Sequence, residues 1–273
     1  MLTNEKELIE HAKSGDTLAI QTILDDVQDM LYNLSLRMLG NLHDAEDATQ
    51  EINIKIIKGL PGFRMESAFS TWVYRICINY LKSYKKAIFA NKPLSFEYYA
   101  EDIRQGFVEL EHDFIKNVDD SLLSQELKAS CTNVMLQCLD AEARCIYILG
   151  TMFQLDSKLA GEILDISPEA YRKRLSRIRK KMSEFMQEYC GLGQGSCNCS
   201  KRVGYAIKNH RLDPNNLEYT SLEKQNPSDQ LAYTNMMEEL DEISSIFAGM
   251  PVYKNPNTAK EYIIKLISNF HLN

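Results

Sequence analysis

Apolar residues recur at steps of three and four along most of the chain, and runs alternating apolar with polar, the mark of a half-buried strand, are scarce. The fold this predicts is all-α. Ile20, Ile23, Leu24, Val27, Leu31 and Leu34 form one apolar stripe that stops at Gly40-Asn41, a natural helix stop. A second helix is predicted from near Asp44, whose carboxylate can cap free amides, through Ile52 and Ile56 to the break at Gly59-Leu60-Pro61-Gly62. A third begins at Ser67 or Ser70 with Trp72, Ile76 and Tyr80 on one side. Its other side carries Arg75, Asn79, Lys82 and Lys86 at i, i+4, i+7 and i+11, so one face packs and the other is basic.

From about Ala90 to Ser124 the periodicity weakens, acids dominate, and Pro93 and Gly106 interrupt any helix, which reads as a linker with at most short helical pieces. Periodicity resumes at Leu127 and runs past Asp140, which can cap a helix bearing Ile146 and Leu149; a short helix over Ser157 to Leu164 follows. Ser167-Pro168 then gives an N-cap and a first-turn proline, opening a helix whose core stripe is Tyr171, Leu175, Ile178 and Met182. Two helices joined by a tight turn, the second basic and outward-facing, are the helix-turn-helix arrangement. Beyond a Gly- and Cys-rich stretch, Met236, Leu240, Ile243 and Phe247, then Ile263, Leu266, Ile267 and Phe270, predict two further amphipathic helices. The boundaries that follow are 1–90 and 127–187 for two helical modules, 91–126 for the acidic linker and 188–273 for a cysteine-containing C-terminal extension expected to regulate the two modules.

Composition narrows the function. A chain of 273 residues, 44% hydrophobic and 25% charged, can bury one core and more readily two small ones with appendages. No apolar run approaches the roughly 18 residues that would span a bilayer, and Met1 is not followed by a basic and then apolar leader, so no membrane insertion and a cytoplasmic location are expected. Seven cysteines without an export signal argue for reduced thiols. The net charge of -7 looks wrong for a nucleic-acid binder, but the charge is sorted along the chain. Between Pro168 and Met182, Arg172, Lys173, Arg174, Arg177, Arg179, Lys180 and Lys181 face the single acid Glu169, whereas acids collect from Asp44 to Glu51, from Glu97 to Glu126 and from Glu238 to Glu242. Separate modules with different partners are implied.

Three stretches carry a family resemblance. Asp44-Ala45-Glu46-Asp47-Ala48-Thr49-Gln50-Glu51, then Gly62-Phe63-Arg64, then Phe69-Ser70-Thr71-Trp72-Val73-Tyr74-Arg75-Ile76-Cys77-Ile78-Asn79 resemble region two of the extracytoplasmic-function (ECF) sigma factors of RNA polymerase. Leu139 to Met182 resembles sigma region four. The resemblance implies that the helix bearing Asp44, Glu46, Asp47, Gln50 and Glu51 docks on core RNA polymerase, that the next helix opens the minus-10 element of promoter DNA, and that the helix-turn-helix reads the minus-35 element. An anti-sigma factor is a further partner it suggests, and no catalysis of the chain's own is implied.

The residues supply physical reasons. Opening DNA costs stacking, which an aromatic can replace at about 1–3 kcal/mol per base; Phe63, in a loop beside Arg64, suits that better than Trp72 on the apolar stripe. Arg75, Asn79, Lys82 and Lys86 can track phosphates, and Arg172, Lys173, Arg174, Ser176 and Arg177 lie early in a recognition helix, where side chains reach base edges. Asp47 and Glu51 repel one another at i, i+4, which suits a docking surface better than a solvated one, although acids such as Asp44 and Glu46 are also favoured by a helix start alone. The pattern departs from the family at Leu159-Ala160-Gly161, at Asp165 where the turn glycine is usual, at Asn53 and at Ser83. A helix-turn-helix regulator acting without polymerase is the alternative; it leaves the acidic helix and Phe63-Arg64 without a role. A metal-dependent enzyme lacks any nucleophile with base or phosphate-cradling loop.

Cys190, Cys197 and Cys199 stand in a C-x6-C-x-C spacing among glycines. They could hold zinc or another soft metal with His210 as fourth ligand, sense redox state, or simply pack. Cys77, Cys131, Cys138 and Cys145 sit in apolar helical settings and read as buried bystanders.

Overall fold

The computed structural model describes residues 2–84, 94–106, 120–225 and 241–256. Among the described residues there is no strand, and an isolated antiparallel bridge joins Lys224 to Tyr253. The long stripe from Ile20 to Leu34 is divided between two helices, α2 (Thr17–Asp25) and α3 (Gln28–Leu39), preceded by α1 (Leu2–Lys13). Both face the same core, so the apolar spacing runs through the break at Asp26-Val27 without showing it.

Gly40 ends α3 in the left-handed region at φ 83°, as a C-terminal glycine should. Asn41 belongs to the next element. It caps α4 (Leu42–Gly59) by accepting from the Asp44 amide at 2.9 Å while its own amide donates to the Asp44 carboxylate at 2.6 Å. Asp44 is thus the answering residue and not the cap, a correction of the expected start. Asn53, deeper in α4, exchanges two hydrogen bonds with Gln28 at 2.9 and 3.1 Å, tying α4 to α3 in a buried position. A short 3-10 turn (Leu60–Gly62) leads to α5 (Phe69–Lys82).

The stretch expected as a linker contributes packed helices. α6 (Phe96–Gln105), capped by Ser95, buries Phe96 and Tyr99 against Phe185 with ring centroids 5.0 and 6.0 Å apart. α7 (Asp120–Leu136) starts ahead of Leu127, because acids in a helix's first turns are compatible with its dipole. Next come α8 (Ala141–Tyr147) with a π turn (Ile148–Met152), α9 (Ser157–Leu164) and α10 (Pro168–Tyr189). The buried Arg144 guanidinium fastens these parts: it donates to the carbonyls of Leu136 and Leu139 at 3.0 and 2.8 Å, to Gln137, and to Met38 at the end of α3. The helix dipoles favour a cation there, while burial pulls its pKa down to about 10.

One continuous core runs from Ile9 through the α3–α5 group and the α8–α10 group to Met250, so the two expected cores are one. The described part of the extension adds α11 (Cys199–Lys208) and α12 (Glu242–Ala248). It is pinned by buried acids. Asp102 of α6 receives Arg202, Arg211 and Tyr205 at 2.9, 2.6 and 3.0 Å, and Glu126 of α7 receives the amides of Glu218, Tyr219 and Thr220 at 2.8 to 2.9 Å. The helix expected around Ile263 to Phe270 lies outside the described residues, as does the first part of the one expected from Met236.

Candidate nucleic-acid interface

The helix-turn-helix is built from local signals. Asp156 caps α9, and Ser167 caps α10 by accepting from Ala170 at 3.1 Å, with Pro168 in the first turn where its missing N–H costs nothing. Between them Asp165 takes the left-handed conformation (φ 55°, ψ 45°), which a short polar side chain tolerates, so the usual glycine is dispensable here. Gly161 is not: a Cβ there would stand 2.7 Å from the Ile166 carbonyl.

On α10, Tyr171, Leu175 and Met182 are buried, and Arg172, Lys173, Arg174, Ser176, Arg177, Lys180 and Lys181 are exposed. Their intramolecular partners are surface ones: Lys173 meets Glu169 at 2.8 Å, Arg172 the Ser157 hydroxyl at 2.8 Å, and Arg174 pairs with Glu142. Exposed pairs of this kind contribute about 0–1 kcal/mol, so phosphates can displace them. Arg179 differs from its neighbours. It turns inward to Thr151 and to the Gly150 carbonyl at 2.9 Å, bracing α10 on the π turn.

The basic face of α5 is only partly free. Asn79 and Lys82 are exposed, and Lys86 lies outside the described residues. Arg75 is half-buried and donates twice to the main-chain carbonyl of Glu162 in α9, at 2.8 and 3.2 Å, with the Glu162 carboxylate 3.8 Å away. The helix-turn-helix therefore rests on the helix expected to hold single-stranded DNA.

Phe63 requires a correction. It is 4% exposed, with Phe69 and Trp72 at ring-centroid distances of 5.7 and 5.0 Å, so it packs the base of α5 and presents no stacking surface; Trp72 is the less buried ring. Position beside a turn did not imply exposure, because the neighbouring aromatics supplied a better environment. Arg64 is solvent-exposed, with Glu66 at 3.9 Å.

The acidic helix α4 presents Glu46, Asp47 and Gln50 at partial exposure and Glu51 fully exposed, with His43 at 4.0 Å from Asp47. Asp44 faces inward, held by Asn41 and by the Tyr84 hydroxyl at 3.4 Å, and is corrected from docking residue to structural acid. That hydroxyl's pKa is raised to about 12, by burial and then by the charge of Asp44.

Residues 23–87, which contain α3, α4 and α5, match the family model for Sigma-70 region 2. The chain is also 27% identical over 191 residues to the ECF RNA polymerase sigma factor SigW of Bacillus subtilis (strain 168), an alignment covering 67% of this chain and 97% of that protein. The RNA polymerase sigma-H factor of Pseudomonas aeruginosa is 28% identical over 191 residues (68% and 97%), and the ECF RNA polymerase sigma-E factor of Escherichia coli (strain K12) 28% over 185 (67% and 94%). The chain carries a sigma-70 region 2 and is similar to ECF sigma factors. These relatives, matched over nearly their whole length, leave about a third of this chain without a counterpart in them.

Within the described part of the extension the cysteines gather with one more from α7. The amides of Gly193 and Gly195 donate to the Cys190 carbonyl at 2.9 and 2.8 Å, and Cys197 donates to Tyr189 at 2.9 Å, folding the loop back on the end of α10. Cys131 of α7 joins them, each of the four thiols lying within electrostatic reach of the other three. Cys131 had no signal in the sequence, since its partners are some sixty residues away. Burial pushes Cys131 up to about 12 and Cys197 up to about 11, and raises Cys190 and Cys199, so these thiols stay protonated at neutral pH. Among the described residues no three His, Cys, Asp or Glu side chains are placed to hold a metal ion. The zinc expectation for Cys190, Cys197 and Cys199 accordingly finds no ligand cage, and His210 lies beyond the far end of α11, about 15 Å along the axis from Cys199. No helix among the described residues is long and apolar enough to cross a membrane.

Proposed function

We propose that this chain binds core RNA polymerase and directs it to promoters at the start of transcription. The observation that supports this most is the exposed basic face of α10, mounted on a capped helix-turn-helix in the same chain as a sigma region-two match. The acidic ridge Glu46, Asp47, Gln50 and Glu51 serves as the polymerase contact; Asn79 and Lys82, with Arg75 once free, meet the opened strand; and Arg172, Lys173, Arg174, Ser176 and Arg177 meet duplex DNA. The regulator alternative is not favoured, because it leaves region two without a partner.

Run-off transcription with core polymerase and a promoter library tests the reading. Promoter-specific transcripts that depend on the added chain are expected; a chain not retained by core polymerase would return the alternative. In the same assay Arg177→Ala costs about 1–3 kcal/mol in promoter binding if Arg177 reads a base, with relaxed preference at one position. Lys180→Ala weakens binding to all sequences alike and lowers the slope of log K against log salt by about 1.

A further inference from the structure

Helix α3 carries polar side chains whose partners are the backbone of the chain's distant C-terminal segment. Asn33 donates to the Tyr253 carbonyl at 2.7 Å and accepts from its amide at 2.9 Å. Arg37 donates to the Pro251 carbonyl at 2.6 Å, Asp29 accepts from the Asn255 amide at 2.8 Å, and Gln28 accepts from the Asn255 side chain at 3.0 Å. Asn33 and Arg37 are each 2% exposed beneath this segment, and the rings of Tyr253 and Tyr219 close over Tyr32, Leu36 and Ala45 of α3 and α4. The slot reads main chain, as a strand does.

The other end of this segment grips the helix-turn-helix. Phe247 of α12 is fully buried with its ring 5.3 Å from that of Tyr147, and α12 packs along α10 and the π turn. A single short segment therefore spans region two and region four. In the arrangement it holds, α9 lies on α5 and the half-buried Arg75 spends two of its donors on the Glu162 carbonyl. We propose that residues 241–256 form an intramolecular clamp that keeps the helix-turn-helix folded against the DNA-gripping helix, and that promoter engagement requires its release from α3. The contacts of the segment with α3 itself are largely polar, so release there returns amides and a guanidinium to water, at the cost of uncovering the ring of Tyr253.

The proposal rests on the sigma-factor reading, and the test separates the two. Asn33→Ala and, from the opposite side of the contact, Tyr253→Ala are made in the full chain, with circular dichroism and thermal melting to establish folding. Asn33→Ala loses two buried hydrogen bonds to main chain and Tyr253→Ala the ring that covers α3 and α4, each shifting the closed-to-open ratio about tenfold. Each folded variant is expected to raise promoter-specific transcription about tenfold at limiting concentration and to speed amide exchange in α5 and α9; a peptide of residues 241–256 added to Tyr253→Ala reverses both. A purely structural contact would lower transcription instead. Folded variants that still bind core polymerase but transcribe no more than the parent, with unaltered exchange in α5 and α9, overturn the clamp. Failure of parent and variants alike to bind polymerase overturns the sigma reading, while the exchange data still decide whether the clamp exists.

Discussion

Asp102 shows how one residue holds the extension in place. Burial raises its pKa, but the hydrogen bonds and charges of Arg211, Tyr205 and Arg202 outweigh that and hold the carboxyl below the ordinary aspartate value. A carboxyl depressed in the fold stabilises above its unfolded value of about 3.9 and loses that contribution as pH falls through the folded one. Melting temperature should fall faster below about pH 4 in the parent than in Asp102→Asn, while at pH 7 the variant melts lower; thermal melts between pH 7 and 3 check both. Arg144→Met leaves carbonyls at the ends of α7 and α3 without their donor and should cost about 2–4 kcal/mol in denaturant unfolding. At this scale the sequence is readable where partners are neighbours. Asp140 and Ser167 cap the helices their positions announced, accepting from Ala143 and Ala170. Phe63 and Asp44 misled because each turns inward to neighbours whose positions only the fold decides.

Elements were legible in proportion to how local their signals are. The start of α10 and the stop of α3 follow from a proline, a serine and a glycine, whereas the break between α2 and α3 hides inside an apolar period that both helices share. α6 and α11 were hard to read because each is only ten residues long and their apolar residues meet partners far along the chain. The helix-turn-helix offers two opposite tests of its turn. Gly161→Ala forces a methyl group against the Ile166 carbonyl and should destabilise by about 1–3 kcal/mol, while Asp165→Gly relieves a left-handed residue and should stabilise by about 0.5–1 kcal/mol. Chemical denaturation reads both.

For the molecule as a whole, sorted charge announced modules with distinct partners, and the exposed faces of α4 and α10 bear the corresponding side chains. What no stretch of sequence could announce is that the modules share one core and are braced by the chain's far end, since the bonds responsible join Asn33 to a residue 220 positions later. That separation has a temporal side. A ribosome adding about 5–20 residues per second needs roughly 10–40 s to travel from Asn33 to Tyr253. During that interval every newly made copy has its α3 slot vacant, so a nascent chain still on the ribosome is unlatched, and a polymerase that reached it then would meet it before its own terminus did.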